Sequence, residues 1–193
     1  PPDGVAAGTD CDDENPTANP DPETKEDCRT VFDDDCDGDT NDEDAEASLT
    51  FYADRDEDGF GDPEDSKKYC IARGDYNVSN ADDCDDDSFT TKPFVATKEL
   101  NPSLCMKDDD GDGYGDSSTG GVFVAGTDCN DVLSAANPSV NEDCSTTYDD
   151  DCNGNTNDEN ADSCSDFFAD ADADGFGTGE PKCMCTNEGI YVG

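Results

Sequence analysis

The feature that most constrains this chain is an eight-residue run written three times. It reads Asp54-Arg55-Asp56-Glu57-Asp58-Gly59-Phe60-Gly61, returns as Asp108-Asp109-Asp110-Gly111-Asp112-Gly113-Tyr114-Gly115, and returns again as Asp170-Ala171-Asp172-Ala173-Asp174-Gly175-Phe176-Gly177. Carboxylates stand at the first, third and fifth places, followed by glycine, an aromatic residue and a second glycine. In a tightly curled loop, alternate side chains converge on one point, and glycine allows a turn that other residues resist. Converging carboxylate oxygens call for a hard cation, and Ca2+ is the expected cofactor.

Composition sharpens the problem. With 53 acidic and 10 basic residues, a formal net charge of -43 and 31% hydrophobic residues, the chain reads by charge and hydropathy as disordered. Its 12 cysteines argue the opposite. An even number at recurring spacings points to disulfides made in an oxidising compartment, and so to an extracellular or cell-surface protein. Thiolate sites for zinc or iron–sulfur clusters compete poorly, because no CxxC pair occurs and the CxC pair Cys183 and Cys185 stands alone. Divalent ions caged by carboxylates relieve the self-repulsion, so metal binding and folding are expected to be one event. The acidity argues against nucleic acid as a partner. No stretch reaches the roughly 18 apolar residues of a transmembrane segment. A chain opening on Pro1-Pro2 without a signal peptide reads as a processed product or an internal segment of a longer precursor.

A second pattern alternates with the loops. Gly8-Thr9-Asp10-Cys11-Asp12-Asp13 leads through Asn19-Pro20 and Glu26-Asp27-Cys28 to the run from Asp33 to Asp44, then to the loop at Asp54 and Cys70. The order recurs as Gly126-Thr127-Asp128-Cys129-Asn130-Asp131, Asn137-Pro138, Glu142-Asp143-Cys144, the run from Asp149 to Asn160, the loop at Asp170 and Cys183. This is a repeat protein. A shorter middle unit opens at Asp82-Asp83-Cys84 and replaces the second element with Ser88 to Leu104, which reads as a local apolar cluster or short hairpin. The expected organisation is a first repeat over 1–70 with two loops, a middle repeat over 71–120 with one, and a third over 121–193 with two. Pro2-Asp3-Gly4-Val5 and the last residues, Cys185 to Val192, look like halves of the linker around Gly74, Tyr76 and Val78.

The expected fold class is a small, disulfide- and calcium-stabilised tandem repeat, mostly irregular coil with a few short strands and little helix. Leu49–Ala53 and Ser165–Ala169 read as strands delivering aromatic side chains to a small core, with Val122–Val124 a third. Asp42 to Ala47 reads as a single helical turn, and Tyr52, Phe60, Tyr114, Phe168 and Phe176 as local core.

The EF-hand loop asks for oxygens at positions 1, 3 and 5, glycine at 6, a backbone carbonyl at 7, a ligand or water at 9 and an acid at 12. Asp54, Asp56, Asp58, Gly59, Phe60, Asp62 and Asp65 fill every place. The second loop supplies Asp108, Asp110, Asp112, Tyr114 and Asp116 but Thr119 at position 12. The third supplies Asp170, Asp172, Asp174 and Phe176, with Thr178 at 9 and Pro181 at 12. These two must borrow a carboxylate, for which Asp128 and Glu180 are the candidates, or bind more weakly. The second element fits as well, through Asp33, Asp35, Asp37, Asp39, Asn41 and Asp44. Its later copy, through Asp149, Asp151, Asn153, Asn155, Asn157 and Asn160, carries less charge and should bind more weakly. Asp10 and Asp12 beside Cys11 are candidates to feed an adjacent ion, as are Asp13 and the Asn-Asp-Glu runs. At least about five ions are expected, one for each glycine-containing loop.

The Asp-Cys-Asp-Asp, Asn-Pro, Glu-Asp-Cys, Asp-Asp-Asp-Cys-Asp-Gly and Asn-Asp-Glu runs, each followed by an Asp-x-Asp-x-Asp-Gly-aromatic-Gly loop, resemble the MopE-type metal-binding repeat. The loops are also similar to the calcium-wrapped type 3 repeats of thrombospondin. The resemblance covers essentially the whole chain, most weakly Ser88 to Leu104. It implies a secreted or surface protein of bacterial type, with calcium held by Asp54, Asp56, Asp58 and their counterparts. The founding member's copper site uses histidines and a modified tryptophan, and this chain has neither residue, so copper binding does not carry over.

The leading functional expectation is an extracellular structural module, a metal-rigidified spacer, stalk or filament subunit, whose partners are copies of itself or adjacent repeats of a longer chain. A calcium-sequestering or mineral-interacting surface protein is the second reading. A carboxylate-based hydrolase is the third and weakest, since no histidine is available as a base and no carboxylate pair stands out among so many. The expectation is therefore not an enzyme. Matched spacing suggests repeated pairings of Cys11, Cys28, Cys36 and Cys70 and of Cys129, Cys144, Cys152 and Cys183, leaving Cys84, Cys105, Cys164 and Cys185 to pair across units.

Overall fold

The computed structural model describes residues 10–21, 23–118, 121–187 and 189–193. The linker half at 2–5, Gly8-Thr9 of the first opening, and Thr119 lie outside the described residues. The chain forms two compact units, Pro1–Phe89 and Thr90–Gly193.

Eight short strands and no helix occur among the described residues. In the first unit β1 (Leu49–Ala53) lies between β2 (Ser66–Tyr69) and β3 (Tyr76–Val78), all antiparallel. In the second, β4 (Thr91–Pro93) and β5 (Cys105–Lys107) form a hairpin. There β6 (Ser165–Ala169) lies between β7 (Thr178–Met184) and β8 (Tyr191–Val192), repeating the plan of the first sheet. Each of the three aromatic loops begins on the residue after a strand, Asp54 after β1, Asp108 after β5 and Asp170 after β6. The strand fixes the direction in which the loop's first carboxylate enters.

The strands at Leu49–Ala53 and Ser165–Ala169 are those expected from the sequence, and the middle insert supplies one strand of a hairpin, β4, whose partner β5 follows the insert. Three expectations are corrected. Val122–Val124 is not a strand; its last residue donates one backbone bond, to Cys105 (2.7 Å), too little to make a ladder. Asp42 to Ala47 makes a turn closed by Ala45 N–H to Asp42 O (3.4 Å), not a helical turn. Nor are Tyr52, Phe60, Tyr114, Phe168 and Phe176 among the buried core residues. Phe168 and Phe176 are exposed, as are Phe89, Phe94 and Leu100 of the insert, where no apolar cluster forms. The buried apolar residues are Ala18, Ala45, Ala53, Ala96, Ala136 and Ala161, with Tyr69 and Met106 the only large ones among the described residues. Loops packed backbone to backbone leave room for a methyl group, not a ring.

No cysteine is free. Cys11–Cys36 and Cys28–Cys70 have counterparts in Cys129–Cys152 and Cys144–Cys185, so the repeated pairing is real. The partner of Cys144 is nevertheless Cys185, and Cys183 pairs with Cys164 inside the last repeat. On the long strand β7, Cys183 lies opposite Asp166, close to the Cys164 that precedes β6. Cys164 and Cys185 therefore do not pair across units.

Candidate metal centres

All five glycine-containing loops fold the same way, and the backbone shows why. The position-six glycines Gly38, Gly59, Gly113, Gly154 and Gly175 have φ between 89° and 98°, a region that side chains rarely adopt. Position four is also left-handed in every loop, through Cys36, Glu57, Gly111, Cys152 and Ala173, with φ from 57° to 75°. Four of those five are not glycine, so each of these turns stores about 1–2 kcal/mol of backbone cost. The alternating carboxylates and the disulfides hold it.

The first carboxylate of each loop folds the loop around itself. Asp33 accepts from the N–H of Asp37 (3.1 Å) and Gly38 (3.0 Å), Asp149 from Asn153 (3.2 Å) and Gly154 (2.8 Å), and Asp170 from Asp174 (3.2 Å) and Gly175 (2.9 Å). Asp54 accepts from Asp58 (3.0 Å), and Asp108 from Gly111 (2.8 Å) and Gly113 (3.0 Å). In the loops at Asp33, Asp54 and Asp108 the third and fifth carboxylates spend Oδ1 on the N–H two residues on, as Asp110 does for Asp112 (3.1 Å) and Asp112 for Tyr114 (2.8 Å). In the loops at Asp54 and Asp108 second oxygens turn inward. Asp56 Oδ2, Asp110 Oδ2 and Asp112 Oδ2 are buried without a hydrogen-bond partner.

A second segment closes two of these loops. The N–H of Asp83 donates to Gly61 O (3.1 Å) and that of Asp128 to Gly115 O (2.8 Å), seating the Asp-Cys opening of the next repeat on the loop's last glycine. The second glycine of the motif serves close approach. A Cβ on Gly61 would meet Tyr52 Cβ at 2.5 Å and Asn80 O at 2.7 Å. Once seated, Asp83 is 4% exposed and Asp128 0%, and the Oδ2 of each is buried and unpartnered. Asp54, Asp56 and Asp58 converge within 4.8 Å of one another, and so do Asp56, Asp83 and Asp86. Burial raises the carboxyl pKa of Asp56, Asp83, Asp108 and Asp110 above the usual range. Asp128 is pushed up to about 6, by burial first and then by Asp112, Asp110 and Asp131. Buried like charges of this density are stable only when protonated or neutralised by a cation.

The second element is built differently. Asp35, Asp37 and Asp42 converge within 4.8 Å, as do Glu26, Asp33 and Asp35. Burial raises the pKa of Asp35, Asp42 and Glu26. Glu26, 1% exposed, accepts from the N–H of Asp34 (2.6 Å) and Asp35 (3.1 Å). Its counterpart Glu142 accepts from Asp150, Asp151 (3.2 Å) and Asn157 (2.8 Å). The buried Asp34 and Asp150 in turn take the N–H of Asp27 (3.1 Å) and Asp143 (3.0 Å) and the hydroxyls of Thr30 (2.9 Å) and Thr146 (2.6 Å). These glutamates and middle aspartates brace the backbone. Sequence reasoning missed that role, although Glu-Asp-Cys recurs and each aspartate falls out of the ligand alternation.

The remaining sequence-derived candidates have other neighbours. Asp65 accepts from Tyr76 Oη (3.0 Å) and pairs with Arg55, Asp44 pairs with Lys25 (2.8 Å), and Asp39 pairs with Arg73. In an EF-hand the position-twelve acid returns to the ion on an exiting helix; here the chain leaves the Asp54 loop as strand β2. Asp62 and Asp116 lie beside Arg55 (3.7 Å) and Lys107 (3.9 Å). Phe60 and Tyr114 are half-buried, whereas Asp172, Asp174, Phe176 and Glu180 are exposed. Asn41 exchanges hydrogen bonds with the backbone of Ile71. Asn153 Nδ2 donates to Asp151 (3.0 Å) and Asp158 (2.6 Å), placing an amide where the earlier copy gathers Asp35, Asp37 and Asp42. Asn155 donates to Asn153 Oδ1 (3.0 Å), and the side-chain oxygen of Asn157 is buried without a partner. Asp10 is exposed, and Asp10 and Asp12 accept from the N–H of Asp12 (2.9 Å) and Glu14 (3.1 Å). Cys129 and Cys152 lie beside Asp128 but are bonded to each other and offer no thiolate.

Comparison with models of protein families, with curated proteins and with solved structures returns no match. What stands is a disulfide-rich repeat protein with several acidic clusters able to hold a divalent cation.

Proposed function

We propose that this protein is an extracellular calcium-binding structural repeat protein, a metal-rigidified spacer, stalk or filament subunit of the kind the MopE-type and thrombospondin type 3 resemblances imply. The observation that carries the reading is the pair of covered loops, where Asp83 Oδ2 and Asp128 Oδ2 are buried, unpartnered and packed among carboxylates of a neighbouring segment. Oxygen-only donor sets with flexible loop geometry suit calcium over the softer transition metals. Asp54, Asp56, Asp58 and Asp83 hold one ion, and Asp108, Asp110, Asp112 and Asp128 another. The Asp33 element takes a further ion through Asp35, Asp37 and Asp42, and the loops at Asp149 and Asp170 bind more weakly. Each covered site joins a loop to the opening of the next repeat, so the ion stiffens the array. The disulfides suit an oxidising exterior, where calcium fills even modest sites.

The test is chelation of the disulfide-intact protein, read by small-angle scattering. Removal of calcium should enlarge the radius of gyration, and readdition should restore it. A radius indifferent to calcium defeats the structural reading. Reversible filling without a change in size would favour the sequestering role.

A further inference from the structure

Both covered sites hold a side-chain cation next to the proposed ion position. Lys107 Nζ lies 2.6 Å from Asp109, 2.7 Å from Asp131 and 3.9 Å from Asp116. In the other site the Arg55 guanidinium contacts Asp65 and Asp86 and lies 3.7 Å from Asp62. The two cations come from different places in the sequence, Lys107 from the end of β5 and Arg55 from the second position of its loop. They arrive at the same point, between the position-nine acid (Asp62 or Asp116) and the acid three residues after the covering aspartate (Asp86 or Asp131). The side chains of Asp86 and Asp131 are almost fully covered, at 8% and 6% exposed. In the third aromatic loop the corresponding positions are Ala169 and Ala171, and neither can supply a cation.

We infer that Arg55 and Lys107 are resident second cations that hold each covered site to a single divalent ion, by filling a neighbouring carboxylate cage that would otherwise admit another. The inference rests on the calcium reading above. Three carboxylates around one ammonium leave net negative charge; two of its oxygens lie 2.6 and 2.7 Å away, near the 2.3–2.6 Å of calcium coordination, and the third lies 3.9 Å away. Because the cage at Lys107 shares the Asp128–Asp131 segment with the first ion, the lysine also keeps that cover seated when the metal leaves. Arg55 does the same for Asp83 to Asp86.

The experiment counts calcium bound by the full-length, disulfide-intact chain, by equilibrium dialysis and native mass spectrometry, for wild type, Lys107→Gln, Arg55→Gln, Lys107→Arg and the exposed-lysine control Lys68→Gln. The expected result is one additional calcium for Lys107→Gln and one for Arg55→Gln, with no gain for Lys107→Arg or Lys68→Gln. If the wild type binds calcium and neither glutamine variant adds an ion, the inference fails while the calcium reading survives. If the wild type binds none, both fail. Should Lys107→Gln lose its fold, Arg55→Gln reads the same claim at the independent site.

Discussion

The loops at 108–115 and 170–177 share a motif, a preceding strand and a first aspartate wrapped by backbone N–H groups, yet their surroundings differ. In the first, Asp110 and Asp112 are half-buried under Asp128, and Tyr114 is partly covered. In the second, Asp172 and Asp174 are exposed, and Phe176 is 80% exposed. The turn is thus a local product of the motif, whereas a low-dielectric cage for an ion needs a second segment. Affinity should follow the cover more than the motif, because burial removes the water that competes for the cation.

The largest expected effect sharpens this by adding a loop that a buried glutamate, rather than a covering aspartate, closes from outside. Glu142→Ala removes the acceptor for three backbone N–H groups around the loop at 149–160. Charge-assisted hydrogen bonds contribute ~1.5–3 kcal/mol each and are not additive, so a loss of roughly 3–5 kcal/mol is expected, alike with and without calcium. Hydrogen exchange at Asp150, Asp151 and Asn157 would show it; a loss rescued by calcium would break the distinction between bracing and ligating carboxylates.

Next comes Asp128→Ala, which uncovers the loop at 108–115 and should make it behave like the loop at 170–177. A drop in calcium affinity of roughly a hundredfold is expected, since even outer-shell partners are worth ~10–100-fold. Terbium emission sensitised by Tyr114 reads that loop locally. Unchanged affinity would show that the motif alone suffices.

A smaller effect follows from pH. Asp128 titrates near 6 in the metal-free fold, well above an unfolded aspartate near 3.9. The folded metal-free chain then binds more protons than the unfolded chain between those values, so its stability rises as pH falls through that window. Calcium must displace the proton, so affinity at the covered loop should weaken as pH falls below about 6. Calcium titrations at pH 5 and 7.5, with Asp128→Asn as reference, test this; equal loss in that variant would assign the effect elsewhere.

The smallest effect belongs to Phe176→Ser. An exposed ring contributes little packing, so stability should change by less than about 0.5 kcal/mol. A larger loss on thermal melting would mean that the open loop is covered after all.

Much of this was legible in the chain. Position-six glycines, alternating acids, strands at Leu49–Ala53 and Ser165–Ala169, and paired cysteines are patterns confined to a few residues, and local sterics enforce them. Asp128 could be named as a lender of charge, yet nothing in the sequence separated it from Glu180, which is exposed on β7. The alanine core was hidden because hydrophobic patterning directs attention to rings. Cys185 was passed over for Cys183, the first cysteine after the loop, although the 41 residues from Cys144 to Cys185 are the better match to the 42 from Cys28 to Cys70.

The sequence by itself determined the kind of turn, the oxidised framework and the need for cations, since each follows from backbone geometry or from charge that cannot be left uncompensated. Only the tertiary structure decided which aspartates gather into clusters able to hold a cation, which brace backbone N–H groups and which pair with Arg55 or Lys107. All of them are the same carboxylate on the same short stem, and what distinguishes them is the neighbour that arrives from a distant part of the chain.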